Sequence, residues 1–534
     1  MAMESRELDG CASGAMTYSV LLEGPEATVC AQAPASPVDT AAYQSEAELE
    51  RALIDQLVAQ GYGRLTVHDE AGLVANLRER IEELNGFRFA DADWDAFFRE
   101  HIANGAEGIV EKTRRIQNAP IIDFQMADGT LKNVMLLDRD HIHRNRLQVM
   151  NQYEAGEGTH ENRYDVTILV NGLPLVHIEL KRRGVVLRQA FNQIERYQRE
   201  SFWSESGLFE YVQIFIISNG TRTKYYSNTT RWQKTNGDRG RKTSASYQFT
   251  SWWTDAENCK IMDLAPFAAS FLSRGTLLMV LTHYCVFDVS ENLLVMRPYQ
   301  ICATERILNR ILISESDKKR LGTLDAGGYV WHTTGSGKTL TSFKAAILAS
   351  RMDGVDKVLF VVDRKDLDYQ TMKEYNKFQE GAVNGSTDTK ALSRNLESMA
   401  ADRRICVTTI QKLAVYLSKA ERGGEVFSRH VVFIFDECHR SQFGKMHQAI
   451  TKYFRNYHLF GFTGTPIFAK NAGTGGDPEL RTTAQAFGEC LHKYTVVNAI
   501  DDGNVLPFRV DYVKTFHHAD GRPDERVEGD RKST

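Results

Sequence analysis

The sequence predicts an α/β protein built as two successive units. Three observations carry that expectation. Between residues 121 and 218 a set of β-type segments is interrupted by one amphipathic helix. Between 328 and 462 short apolar strands alternate with helical stretches, the pattern of a parallel sheet covered on both faces. In that second region one strand runs through a glycine-containing loop straight into a helix. A chain of 534 residues is too long for a single core, since domains usually take ~100–200 residues.

Residues 1–39 hold acidic side chains and an Ala/Ser/Pro stretch, with no charged-then-apolar leader pattern, and are expected to be a flexible extension. Helical periodicity starts at Ser45, where Glu46 and Glu48 precede the apolar series Leu49, Leu53, Leu57, followed by Leu73, Leu77, Ile81. A further helical stretch covers residues 93–102. Strands are expected at 134–137, 147–153, 164–170, 175–180 and 211–218, with a helix at 188–199. These make one domain over 40–260. The second unit, 261–475, carries strands at 328–331, 358–362, 405–409, 431–435 and 458–462. Residues 476–519 are expected to be a linker, and 520–534 a polar, disordered tail.

The net charge of −4 excludes a global basic field, so any nucleic-acid contact must come from local patches. Lys181-Arg182-Arg183 and the group Arg239, Arg241, Lys242 are candidates, although such runs also describe a solvated face. The eight cysteines are scattered without a Cys-x-x-Cys pair, which fits free thiols in a reducing cytoplasm. No apolar run reaches the ~20 residues of a membrane span, so no membrane partner is expected.

Asn171-Gly172 is a strong hairpin signal between two of the strands, with Leu173-Pro174 able to lengthen the turn. On the second strand His177, Glu179 and Lys181 share a face, and strand pairing can bring Asp165 beside them. Two carboxylates and a lysine so grouped suit phosphodiester cleavage. Asp165 and Glu179 would hold Mg²⁺ through hard oxygen ligands, and Lys181 would orient water and offset negative charge. Gln193 and Tyr197 are four residues apart on the following helix and can reach the same place. The bare Asp…Glu-x-Lys pattern also describes an edge hairpin with solvent-facing charges. His177 is expected to be a packing or surface histidine.

The stretch Asn162-Arg163-Tyr164-Asp165 … His177-Ile178-Glu179-Leu180-Lys181 … Gln193-x-x-x-Tyr197 resembles the restriction-endonuclease fold in its RecB-type form. More closely, it resembles the R (motor and nuclease) subunit of type I restriction enzymes. The resemblance implies that Asp165, Glu179, Lys181, Gln193 and Tyr197 form the cleavage site. It also implies that double-stranded DNA and the methyltransferase and specificity subunits are partners.

In the second unit Trp331-His332-Thr333-Thr334-Gly335-Ser336-Gly337-Lys338-Thr339 reads as a phosphate loop. Backbone N–H groups of Thr334, Gly335, Ser336 and Gly337 would cradle phosphates, Lys338 would reach the β/γ-phosphates, and Thr339 would ligate Mg²⁺. His332 stands where the first glycine of the full pattern is expected. Asp436-Glu437-Cys438-His439 follows a strand as a DEAD-like box, with Asp436 on Mg²⁺ and Glu437 activating water. Arg297-Pro298-Tyr299-Gln300 looks like an adenine-reading motif through Gln300. Thr463-Gly464-Thr465-Pro466 resembles a coupling motif, and Thr408-Thr409-Ile410-Gln411 a DNA-backbone motif.

The whole set resembles helicase superfamily 2, so 261–475 is expected to be a first RecA-like P-loop domain using ATP and Mg²⁺. The segment 476–519 would then lead towards a second such domain. The arginine motif Gln-x-x-Gly-Arg-x-x-Arg of that second domain is not found in the sequence. The chain is therefore expected to cover the front half of an R subunit, and alone to bind ATP weakly without rapid hydrolysis or translocation. The competing readings are a DNA-repair helicase–nuclease and a non-enzymatic remnant that binds DNA or partner subunits.

Overall fold

The computed structural model describes residues 44–155, 162–228, 247, 249–362, 375–376, 384–385, 389–400, 403–420, 424–436, 438, 443–470 and 480–506. The expected extension (1–39) and tail (520–534), the basic group Arg239, Arg241, Lys242, and Glu437 lie outside the described residues.

The first unit opens with helix Glu46–Ala59, whose N-terminus is fixed by a capping box. Ser45 Oγ accepts from the Glu48 N–H, and Glu48 returns a carboxylate to the Ser45 N–H. Leu49, Leu53 and Leu57 face the core, as do Leu73, Leu77 and Ile81 on helix Glu70–Asn85. Helix Asp91–Phe97 continues into a π-turn, Phe98–Ile102. Strand β1 (Gly63–Arg64) precedes a separate hairpin, β2 (Ile121–Gln125) and β3 (Leu131–Met135). Then come β4 (Leu147–Ala155), β5 (Asn162–Val170), β6 (Leu173–Leu180), β7 (Ile214–Ser218) and β8 (Thr223–Ser227).

The main sheet runs β1-β4-β5-β6-β7-β8. β4, β5 and β6 pair antiparallel in sequence, whereas β6 and β7 are parallel. A parallel pair needs a crossover, and helix Leu187–Glu200 is part of it.

The β5–β6 turn has two residues, Asn171 (φ 50°) and Gly172 (φ 83°), both left-handed. Asn171 is held there by its side chain, which donates to Leu136 O at 3.0 Å and accepts from Arg146 N at 2.8 Å. A Cβ on Gly172 would sit 2.6 Å from Leu77 Cα, so glycine is required by space as well as by φ. Leu173 and Pro174 do not lengthen this turn; they begin β6. Pro174 is opposite Leu169, where the register shifts, a position at which the missing N–H is tolerated.

Residues 253–296 form two hairpins, β9 (Trp253–Thr254) with β10 (Lys260–Ile261) and β11 (Cys285–Phe287) with β12 (Leu293–Val295), around helices Leu264–Ser270 and Arg274–Met279. Their apolar residues, Phe267, Phe271 and Leu277 among them, join the core of the first unit. Gln56 and Tyr62 reinforce this by donating to Ala265 O (2.8 Å) and Leu272 O (2.7 Å). Residues 264–296 thus lie with the first unit's core, although the sequence reading begins the second unit at 261.

The second unit is one seven-stranded parallel sheet. Its strands are β13 (Gly328–His332), β14 (Lys357–Val362), β15 (Asn384–Gly385), β16 (Ile405–Thr409), β17 (His430–Asp436), β18 (Asn456–Thr463) and β19 (Cys490–Tyr494). The order is β15-β16-β14-β17-β18-β13-β19. All five expected strands are present. β19, which pairs with β13, falls inside the segment 476–519 expected as a linker.

Among the described residues no single helix is long and apolar enough to cross a membrane. The six described cysteines are free thiols.

Candidate active sites

The first site grows out of the β5–β6 register. Val166 is opposite Ile178 and Thr167 opposite His177, so Asp165 and Thr167 lie on the face that carries His177 and Glu179. Asp165 Oδ2 accepts from the Leu180 N–H at 2.8 Å, which locks it to the end of β6. Lys181 Nζ donates to Glu179 Oε1 at 2.9 Å and to Leu180 O at 2.8 Å. The sequence reading placed Asp165, Glu179 and Lys181 together, and the sheet does so.

The electrostatics of this group are unbalanced. Glu179 is fully buried, and its Oε2 has no hydrogen-bond partner among the described residues. Burial first, and then Glu179, push the Asp165 carboxyl up to about 8 against the Leu180 N–H and Lys181. Burial likewise pushes Glu179 up to about 7 in spite of Lys181. Burial opposes the Lys181 ammonium, but Glu179 and Asp165 outweigh it and the lysine ends above its usual value.

Two crowded carboxylates with an orphaned buried oxygen fit a cation. A hard ion such as Mg²⁺ is commonly held by one or two carboxylates, with waters completing the shell. Among the described residues no group of three or more His, Cys, Asp or Glu side chains forms a cage.

Gln193 and Tyr197 meet each other on one face of helix Leu187–Glu200, the amide donating to the phenol oxygen. The Tyr197 hydroxyl donates in turn to Arg163 O at 2.9 Å, two residues before Asp165. Burial and then the charges of Glu179 and Asp165 raise the Tyr197 phenol.

His177 is not on the surface. It is fully buried, enclosed by Tyr164, Tyr197, Phe202 and Phe215, and burial lowers it to about 4 so that it stays neutral. Its Nε2 stands 3.6 Å from Glu179 Oε2. Glu46 was not singled out by sequence. It approaches Lys181 Nζ at 3.9 Å and accepts from the Arg182 N–H at 3.2 Å, bringing a third carboxylate to the rim. Nothing local marks it, because it comes from the first helix, over a hundred residues upstream.

The second site lies at the carboxyl ends of the parallel strands, where open α/β sheets bind ligands. After β13 the chain turns through Gly335 (φ 81°) and Gly337 (φ 77°) into helix Lys338–Arg351. Thr334, Gly335 and Gly337 are exposed, Ser336 is buried, and Lys338 and Thr339 are half-buried at the helix start. The N–H groups at such a terminus suit an anion.

Tyr299 and Gln300 brace the loop from below. The Tyr299 hydroxyl donates to Ser336 O at 2.7 Å, and Gln300 Nε2 donates to Ser336 O (3.1 Å) and Gly337 O (3.3 Å). Gln300 Oε1 accepts from the Arg297 N–H at 2.9 Å. Its amide thus holds the loop, a positioning task that the motif alone does not reveal. His332, in the first glycine position, is buried beneath Tyr299, with Nε2 and His492 Nδ1 3.0 Å apart.

Asp436 ends β17 opposite Phe462 of β18, and Thr463 of β18 is opposite Trp331 of β13. The Asp436 carboxylate end, the Thr463–Pro466 segment and the phosphate loop therefore occupy one edge of three adjacent strands. Gly464 lies against this loop, and a Cβ there would be 3.5 Å from Thr334 N. Thr408 and Thr409 also end a strand at this edge. Both are fully buried, and Thr409 caps the next helix through the Lys412 N–H.

A carboxylate–lysine centre on a mixed sheet, joined to a phosphate loop on a parallel one, defines a nuclease-like unit followed by a RecA-like unit. Comparison with known proteins agrees. Residues 43–234 match the family described as the type I restriction enzyme R protein N terminus, and residues 299–532 the SWI2/SNF2 ATPase family.

The endonuclease subunit of type I restriction enzyme SsaAORF53P from Staphylococcus saprophyticus is 40% identical over 496 residues, 91% of this chain and 49% of that protein. The EcoprrI endonuclease subunit from Escherichia coli is 49% identical over 294 residues, 55% of this chain and 90% of that one. The chain belongs to the type I restriction enzyme endonuclease (R) subunit family. It spans about half the length of its staphylococcal relatives.

Proposed function

We propose that the chain acts as the DNA-cutting and nucleotide-using subunit of a type I restriction enzyme. It would cleave unmodified foreign double-stranded DNA with Mg²⁺ after ATP-driven translocation. Its partners would be the methyltransferase and specificity subunits, in the cytoplasm. The observation that carries this reading is the Asp165–Glu179–Lys181 group around the fully buried Glu179, with its orphaned oxygen.

Asp165 and Glu179 would hold Mg²⁺. When bound, the ion supplies Lewis acidity towards the phosphate and makes a coordinated water more acidic. The Leu180 N–H keeps Asp165 turned inward, and Glu179 holds the Lys181 ammonium beside it. From that position Lys181 can orient a water and offset charge on the phosphate oxygens. Gln193 and Tyr197 fix the helix against β5, so the carboxylates keep their spacing.

On the other sheet the loop N–H groups and Lys338 would take the phosphates of ATP, while Thr339 and Asp436 would hold its Mg²⁺. Glu437 is carried over from its motif as the group that activates water.

The test is Mg²⁺-dependent cleavage by an assembled complex carrying the Asp165→Ala chain. Loss of cleavage with intact assembly supports the reading, and retained cleavage removes it.

A further inference from the structure

Where the two units meet, the structure forms a half-open cavity of about 490 Å³ that neither site uses. Helix Ile109–Asn118, the loop after β3, the turn before β11 and the phosphate-loop helix contribute its walls. From these come Arg114, Arg139, His283, Lys344 and Arg351.

Of the two acids that line it, Glu291 is offset by a cation, and Asp288 is turned to donors of its own loop. Glu291 pairs with Arg114, and Asp288 accepts from the N–H groups of Ser290 and Asn292 at 2.9 Å. Arg139 is anchored by donating to Thr282 O and Gln117 O, which neutralises none of its charge. Lys344 is only 8% exposed, yet its ammonium has no hydrogen bond or ion pair among the described residues.

A largely buried lysine without a partner is costly, and Arg139, Lys344 and Arg351, brought to one cavity from a loop and from the phosphate-loop helix, repel each other. An anion in the cavity removes both penalties. The volume is of small-molecule size, several times what one carboxylate fills. The recess also disfavours a duplex, whose phosphates are presented on a broad convex surface.

We propose that this cavity binds the phosphate oxyanions of a small polyphosphate or nucleotide. The occupant would tie the nuclease-like unit to the phosphate-loop helix. The site is separate from the phosphate loop. Lys344 is six residues beyond Lys338, ~9 Å along the helix and on a different face. The inference does not depend on the nuclease reading. Burial, and then Arg139 and Arg351, hold Lys344 down to about 7, a penalty that an anion relieves.

The experiment is calorimetric titration of tripolyphosphate into the full chain carrying Lys338→Ala, which silences the phosphate loop. One remaining site is expected, weakened ~10-fold or more by adding Lys344→Met. Thermal unfolding of the same protein verifies its fold, and its ligand-free midpoint should not fall, because an unpaired buried charge has been removed. Arg351→Gln, at an exposed side chain, should weaken binding by a smaller factor.

An unchanged affinity in the Lys344→Met chain overturns the proposal, as does the lack of any residual site in the Lys338→Ala chain. Displacement of tripolyphosphate by a short DNA duplex, dependent on Lys344, would assign the cavity to DNA and overturn it equally.

Discussion

The two sheets of this chain build their sites by opposite means. The nuclease-like sheet uses side chains. Strand register sets Asp165 beside Glu179, and the cost is a partly buried and a fully buried carboxylate pushed up to about 8 and about 7. The parallel sheet uses backbone. Gly335 and Gly337 take left-handed conformations, and the ligand-facing groups are N–H donors at strand ends and a helix start. The first arrangement carries electrostatic strain that a bound cation would relieve. The second carries conformational strain limited to glycines. One site should therefore respond to charge-removing substitutions and pH, and the other to backbone substitutions.

Four outcomes would sharpen or break this contrast. The largest concerns chemistry. Asp165→Ala should lower Mg²⁺-dependent cleavage by an assembled complex at least ~10²-fold and leave ATP affinity unaltered. A fall in both would show that the sites are not independent.

Next, Lys338→Ala should weaken ATP binding by about 10–100-fold, the value of one charge-assisted contact, in a filter-binding or calorimetric assay. The pH dependence of stability set by the nuclease-like unit should not change.

Third, Gly337→Ala should cost about 1–3 kcal/mol of loop stability, because a Cβ meets Gln300 Nε2 at 2.6 Å as well as a φ of 77°. Gly335→Ala meets only the φ penalty, since nothing lies within 4 Å. ATP-induced thermal shifts should rank Gly337→Ala below Gly335→Ala.

The smallest effect is on stability. The Asp165 and Glu179 carboxyls are raised from 3.8 and 4.5, so their contribution is fully present below those values. It is lost as pH climbs through about 7 to 8. In chelator, the thermal midpoint should fall across that window, and Asp165→Asn should flatten the fall by a few degrees. An identical slope in the variant would remove the strained-carboxylate account.

Much of this was legible in the sequence because the determining signals are local. Asn171-Gly172 fixed the hairpin and hence the faces, and the apolar strands of the parallel sheet could be read one by one. The capping residues of the first helix announced its start.

What escaped depends on long-range packing. β19 is a short strand with His492 and Lys493 in it, so no apolar run marks it, and only pairing with β13 makes it a strand. β8 is as polar and was missed for the same reason. Residues 264–296 are plainly apolar, but apolarity does not say which core they join. In the sites, the grouping of Asp165, Glu179 and Lys181 was recoverable from spacing and His177 was open between packing and surface, whereas the approach of Glu46 was not recoverable. Tyr299 and Gln300 could be seen as a motif, yet their bracing of Ser336 and Gly337 needed the fold.

The most direct test is a Mg²⁺ titration of the nucleotide-free chain at pH 8, followed by thermal unfolding, beside Asp165→Asn. The account predicts that Mg²⁺ raises the midpoint of the unsubstituted chain and leaves Asp165→Asn almost unmoved. Equal stabilisation of both proteins would contradict it, because the ion would then be bound somewhere other than between Asp165 and Glu179.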